Sequence, residues 1–296
     1  MTTRRQFAIG GTICLSHAVA GWRDGTRAAT WTDTLVWDLV KLERESGGRL
    51  GIAALDTQTS ARVGQRADER FPMCSTFKLL AAAAVLARVD AGQEQLDRRI
   101  SFQASDVVVN SPITKDRVGG SGMSLEELCE AAMIVSDNTA GNLLLSVLGG
   151  PAGLTAYARS LGDTVTRLDR IEPDLNEAMP GDQRDTTSPT AMLSNLQTLV
   201  LGDVLSSRSR DRLTAWLIGN KTGDTRLRAG LPKEWRVGDK TGAGEHGTTN
   251  DVAIVWPPGR TPIIISTYLT GTAATAAQRN ATLAAVGRLV ASSLDR

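Results

Sequence analysis

Ser75 and Lys78 stand three residues apart in Ser75-Thr76-Phe77-Lys78, and a hydroxyl with an amine at that spacing is raw material for nucleophilic catalysis. A neutral serine hydroxyl attacks poorly. It needs a base to take its proton and donors to hold the oxyanion that follows. Residues three apart on a helix share a face one turn apart, and the stretch from Ser75 to Val89 is predicted to form a long alanine-rich helix. At the start of that helix, Ser75 would lie in the half of the helix dipole that favours developing negative charge. Alone the tetrapeptide is weak. Ser75 reads more readily as a helix cap and Lys78 as a surface lysine, and Ser-x-x-Lys arises by chance about once in a few hundred residues.

Three further motifs follow in order. Ser136-Asp137-Asn138 opens a predicted helix, which any run of capping residues can do. Glu172 begins Glu172-Pro173-Asp174-Leu175-Asn176, inside a stretch from Arg167 to Asp185 that has Pro, Gly and acidic residues but no periodicity. Long ordered loops tend to be functional, although a lone carboxylate in one is usually just solvated. Lys240-Thr241-Gly242 lies where a predicted strand should line the site, and an ammonium and a hydroxyl there could face an anionic group. The glycine would let a ligand approach the strand closely.

Together and in this order the four motifs resemble those of the class A serine β-lactamases, from about Leu35 to the C-terminus. The resemblance implies that Ser75 is acylated by a β-lactam and that Lys78 or Glu172 takes its proton. It implies that Glu172 then activates the water that releases the acyl group, with Asn176 helping to hold that water. Ser136 would relay a proton to the departing lactam nitrogen, Asn138 would position the substrate's side-chain amide, and Asp137 would brace the turn. The backbone N–H groups of Ser75 and Ala243 would form the oxyanion hole. Arg170 and Asp185 match residues that pin the loop by an ion pair. Lys240 and Thr241 would hold the substrate carboxylate, assisted by Arg226 or by Arg279, because Thr248 and Thr249 stand where other relatives place an arginine. Asn110 replaces the aromatic residue that many relatives carry at the pocket mouth, which removes a stacking surface. Ala243 lacks the hydroxyl found there in several broad-spectrum relatives. Two rivals share parts of the pattern. A penicillin-binding D-Ala-D-Ala peptidase should lack the Glu172…Asn176 loop, and a β-lactam sensor should adjoin a membrane span.

Composition narrows the choice. At 296 residues and a formal charge of +1, with no Lys/Arg run longer than a pair, the chain carries no nucleic-acid signature. No apolar run approaches the roughly 20 residues of a membrane span. Residues 1–29 read as a removable export signal of twin-arginine type, with Thr3-Arg4-Arg5-Gln6-Phe7 ahead of the apolar Ala8–Ala20. Ala18-Val19-Ala20 has the form of a cleavage site, and Thr26–Ala29 could hold another. His17 falls in that signal, so His246 is the one histidine left, which argues against a histidine-built zinc site and against a Ser–His pair. No cofactor is expected, and the mature protein is expected to be a periplasmic or secreted monomer acting on a small molecule. The position bridged to that of Cys129 in some relatives is Ala82 here, so Cys74 and Cys129 are expected to be free buried thiols.

The elements that must position these groups follow from periodicity. Thr32–Glu45 carries an apolar stripe at helical spacing, and helices are predicted near 124–133, 138–148, 151–161, 189–201, 207–218 and 274–294. Strands are predicted at 49–56, 62–65, 235–240, 251–256 and 263–269. Strands at both ends with helices between imply one sheet assembled from the two termini. The expected class is α/β (α+β). The family resemblance implies a five-stranded antiparallel sheet flanked by helices, with an all-helical domain inserted and the site between. The expected division is 30–66 with 219–296 for the α/β domain and 67–218 for the helical one.

Overall fold

The computed structural model describes residues 26–294. Helix α1 (Thr26–Ser46) leads into a hairpin of β1 (Arg49–Asp56) and β2 (Arg62–Gln65). The short strand β3 (Phe71–Pro72) and a 3-10 turn, Cys74–Thr76, introduce α2 (Phe77–Asp90). Short strands β4 (Arg99–Ile100) and β5 (Met123–Ser124) pair ahead of α3 (Leu125–Ile134), α4 (Asn138–Leu148) and α5 (Gly150–Ser160). After the long loop, β6 (Thr186–Thr187) pairs with β3, and α6 (Pro189–Leu201), α7 (Ser207–Ile218) and the single turn α8 (Leu227–Gly230) follow. Strands β7 (Arg236–Ala243), β8 (Thr249–Trp256) and β9 (Ile263–Thr270) and helix α9 (Ala276–Leu294) complete the chain. The expected export signal lies outside the described residues up to position 25; its last four residues, Thr26–Ala29, begin α1.

The five long strands form one antiparallel sheet in the order β2-β1-β9-β8-β7. Its alternating side chains serve two cores, because successive residues of a strand point to opposite faces. Leu50, Ile52 and Ala54 of β1 join Ala253, Val255, Ile263 and Ile265 in packing against Leu35 and Leu39 of α1 and Val286 and Val290 of α9. Ala53, Leu55, Val252, Ile254 and Ile264 face the other way, onto a larger core with α2, α3, α4 and α6. A sheet covered on both sides explains why its strands read as nearly continuous apolar runs.

Helix α2 is the axis of the larger core. Every residue from Phe77 to Leu86 is buried, and Ala81–Ala84 let neighbours close in from all sides. A helix apolar all round belongs in the interior, which makes the buried Lys78 in its first turn an exception that needs partners. Strand β7 runs three residues beyond its expected end. Thr241, Gly242 and Ala243 stay in the ladder because they pair with Asp251, Asn250 and Thr249 of β8.

Candidate active site

Ser75 lies on the 3-10 turn that precedes α2 and not on the helix itself, with Lys78 on the first turn of α2. The spacing still works. Lys78 Nζ donates to Ser75 Oγ at 2.9 Å, to Asn138 Oδ1 at 2.7 Å and to the Ser136 carbonyl at 2.8 Å. Its ion pair with Glu172 Oε1 spans 3.0 Å, and both side chains are wholly buried. Burial pushes the Lys78 ammonium below the ordinary lysine range, while the Glu172 charge pulls the other way. Cys74, just before Ser75, and Ser136, within the cluster, adopt left-handed backbone at φ 46° and 59°. Such conformations cost about 1–3 kcal/mol each in non-glycine residues and gather at functional sites.

Glu172 is held from several sides. Ser75 Oγ donates to its Oε1 at 3.1 Å, and Asn176 Nδ2 donates to its Oε2. Its backbone is clamped by one side chain: Asn142 Nδ2 donates to the Glu172 carbonyl and Asn142 Oδ1 accepts the Glu172 N–H, each at 2.8 Å. The sequence reading missed Asn142. Its signal was available, since four residues from Asn138 on α4 puts both on one face. Gly141, beside it, is needed for closeness, because an added Cβ would lie 2.8 Å from Lys78 Cε. The buried Asn176 Oδ1 has no protein partner among the described residues.

The loop from Arg167 to Asp185 is pinned where expected. Arg170 Nε meets Asp185 Oδ2 at 2.6 Å, and Asp185 Oδ1 accepts the N–H groups of Asp169 and Arg170 at 2.8 and 2.9 Å. Arg170 also pairs with Glu177 at 2.5 Å, a partner the sequence did not single out. Asp137 caps α4 by accepting the Ala140 N–H at 2.9 Å, and its other oxygen holds the N–H groups of Ile113 and Thr114. That bracing fixes the strained Ser136 and the Asn110 carbonyl, which accepts the Asn138 N–H at 3.0 Å.

Strand β7 supplies the opposite wall. Lys240 is fully buried and donates to Ser136 Oγ at 3.0 Å and to the Thr241 carbonyl at 2.9 Å. Burial, and then the like charge of Lys78, push its ammonium well below the ordinary range. Ser136 Oγ therefore lies between two lysines. Gly242 packs against protein: a Cβ there would meet the Met73 carbonyl at 2.7 Å and Cys74 Cβ at 3.3 Å. Asn250 ties the same segment, donating to the Pro72 and Met73 carbonyls at 2.9 and 3.0 Å. Gly244 is tight in the same way against the Asn176 carbonyl and Cys74 Sγ.

A cleft of about 770 Å³ opens between these walls, lined by Asn110, Asn138, Asn176, Glu177, Ala243 and Glu245 among others. Arg226 stands largely behind the wall. Its Nη1 donates to the Gly242 and Asn250 carbonyls at 2.8 and 2.7 Å and its Nε to Asn280 at 3.2 Å, leaving Nη2 without a partner among the described residues. Arg279 Nε donates to Thr249 Oγ1 at 2.9 Å and Nη1 to the Ala274 carbonyl. His246 meets Met179 Sδ at 3.2 Å on the rim, away from Ser75's partners.

Comparison with known proteins decides the family. Residues 35–294 match the model of the β-lactamase enzyme family. β-Lactamase AST-1 of Nocardia asteroides is 48% identical, with 98% of this chain and 96% of that protein covered. β-Lactamase OXY-2 of Klebsiella oxytoca is 49% identical, over 90% of this chain and 92% of its own. The solved structure of an ancestral class A β-lactamase superposes with a TM-score of 0.85 at 64% identity, covering 86% of this chain and 98% of that one. The chain belongs to the class A serine β-lactamases. Among the described residues of this β-lactamase, no group of three or more His, Cys, Asp or Glu is placed to hold a metal ion, and no helix is long and apolar enough to cross a membrane.

Proposed function

We propose that this enzyme opens the β-lactam ring of penicillins and cephalosporins in two steps at Ser75, and so confers resistance to them. Ser75 Oγ attacks the lactam carbonyl carbon while its proton passes to the Lys78–Glu172 pair. The N–H groups of Ser75 and Ala243 hold the oxyanion. The C–N bond breaks as Ser136 gives its proton to the ring nitrogen and is reprotonated from a neighbouring lysine. Glu172 then takes a proton from water, the hydroxide attacks the ester carbonyl, and Ser75 leaves and regains its proton. Asn176 orients that water through its unpartnered Oδ1, and Asn138 takes the substrate's side-chain amide. Lys240, Thr241 and either Arg226 or Arg279 take the carboxylate, with Asn110 at the mouth.

One observation carries this reading: Glu172 Oε1 lies 3.1 Å from Ser75 Oγ and 3.0 Å from Lys78 Nζ. A peptidase or a sensor that β-lactams trap as a stable ester needs the serine and the lysine, but turnover of a β-lactam needs in addition a base placed to discharge that ester. In this reading the chain has an α/β unit of 30–66 and 219–296 around a helical unit of 67–218, is exported by the twin-arginine route with 1–29 removed, and works as a monomer without a cofactor. Steady-state hydrolysis of a chromogenic cephalosporin by the mature chain, with Ser75→Ala as control, is the test. Stoichiometric acylation without turnover would favour the sensor.

A further inference from the structure

Behind the Lys240-Thr241 wall two carboxyl groups meet in the interior. Asp239 of β7 and Asp251 of β8 are both fully buried. Asp239 is well supplied: Arg228 Nε donates to Oδ1 at 2.5 Å and Asn220 Nδ2 to Oδ2 at 2.8 Å. Among the described residues Asp251 receives only the Leu227 N–H, at Oδ2 and 3.1 Å, and its Oδ1 finds no donor. Asp239 stands opposite Ala253 in the β7–β8 ladder, so Asp251, two residues earlier on β8, points to the same face diagonally beside it. Two carboxylates can bond each other only if one holds a proton.

The pair sits where its charge matters. Asp251 is directly opposite Thr241 in the β7–β8 ladder, and Asp239 is next to Lys240. The charged groups around it are Arg228 and Arg226 from α8 and its N-cap, with Lys240 close by on the opposite face of β7, while β9 offers the neutral Thr267. Two full negative charges here would offset the cations that receive a substrate carboxylate; one leaves a net positive field.

We infer that Asp239 and Asp251 share one proton, and that Asp251, as a positioning residue, thereby sets the charge beneath the substrate-carboxylate subsite. Burial and the neighbouring Asp239 hold the Asp251 carboxyl well above the ordinary carboxylate range. The sign for stability follows. A pKa raised above the unfolded value of 3.8 means the folded chain holds an extra proton, so this stabilisation is complete below that pH and is lost as pH rises through the folded pKa.

Infrared spectra of the mature enzyme near neutral pH should show a carboxylic-acid C=O band that disappears in D251N and, should that variant fold poorly, in D239N. A band missing from the wild type, or unchanged in both variants, would overturn the shared proton. Denaturant unfolding should show D251N gaining on the wild type between about pH 5 and pH 8, and parallel pH slopes would count against it. The subsite role rests on the β-lactamase reading. The KM for a penicillin should rise about fivefold as the pair loses its proton, with kcat steady and with D251N flat. A rise that persists in D251N belongs to Lys240 and overturns the charge-setting role. Absence of β-lactam turnover would sink the functional reading and the subsite role together, while the infrared band still decides the shared proton.

Discussion

Lys78 is wholly buried, and among the described residues Glu172 is the charged group that forms an ion pair with it. Removing one member of such a pair leaves an uncompensated charge and costs about 3–5 kcal/mol, so substitutions here have to be read for stability as well as for chemistry. Ser75→Ala avoids that cost and should abolish acylation outright. Glu172→Ala should still acylate with a penicillin but should discharge about 10²- to 10⁴-fold more slowly, the usual contribution of a general base. Intact-mass spectrometry after a brief exposure to substrate separates the two variants, and wild-type deacylation by Glu172→Ala would remove Glu172 from its role. Arg226 does double work, since its Nη1 serves the Gly242 and Asn250 carbonyls. Arg226→Ala should therefore cost about 1–3 kcal/mol in kcat/KM for a lost charge-assisted bond, and also lower the melting temperature by stranding two carbonyls. Unchanged kinetics there, beside a large loss in Arg279→Ala, would move the carboxylate contact to Arg279.

The loop and the sheet edge constrain the site in different ways. The loop is fastened at its ends by Arg170, which holds Asp185 and Glu177 together, and near its middle by Asn142. Arg170→Ser should release the ends while Asn142 still grips Glu172. Penicillin turnover should drop, and activity on a bulky oxyimino cephalosporin should be spared or improved, because a looser wall admits it. Equal losses on both substrates would argue against gating by the loop. Strand β7 is rigid by contrast. Gly242→Ala would drive a methyl toward the Met73 carbonyl, 2.7 Å away, where backbone and not a flexible side chain must yield. The cost should be about 1–3 kcal/mol of stability, read by chemical denaturation, and kcat should fall with it because the displaced segment carries Ser75. A variant of wild-type stability would mean that the turn moves freely.

The molecule as a whole hides both cysteines of its described residues. Cys74 and Cys129 are free and buried, and burial pushes both thiols up, out of the reactive range. In a chain prepared without residues 1–29, thiol reagent should therefore leave the native enzyme untouched and count two groups once it is denatured. Prolonged chelation should leave turnover unchanged. Activity lost to EDTA and restored by zinc would overturn the serine mechanism.

The sequence by itself determined what depends on near neighbours. Lys78 could be matched to Ser75 because three residues is one helical turn, the strands because their apolar runs are continuous, and Asp137 because a cap acts within its own first turn. The four motifs in order also specified the family and its chemistry. Tertiary structure decided whatever depends on where distant segments meet. Ser75 and Glu172 are 97 residues apart in the chain, and no local pattern states that they touch. Asn142 looked like one more polar helix residue until the loop was laid against α4. That Arg226 also holds the Gly242 and Asn250 carbonyls could be seen only once β7 and β8 had turned them toward it. That Gly242 is also required by the backbone of Met73 follows only from the fold. Asp239 and Asp251 carried no motif at all; their shared proton follows from register and burial, which exist only once the sheet has formed.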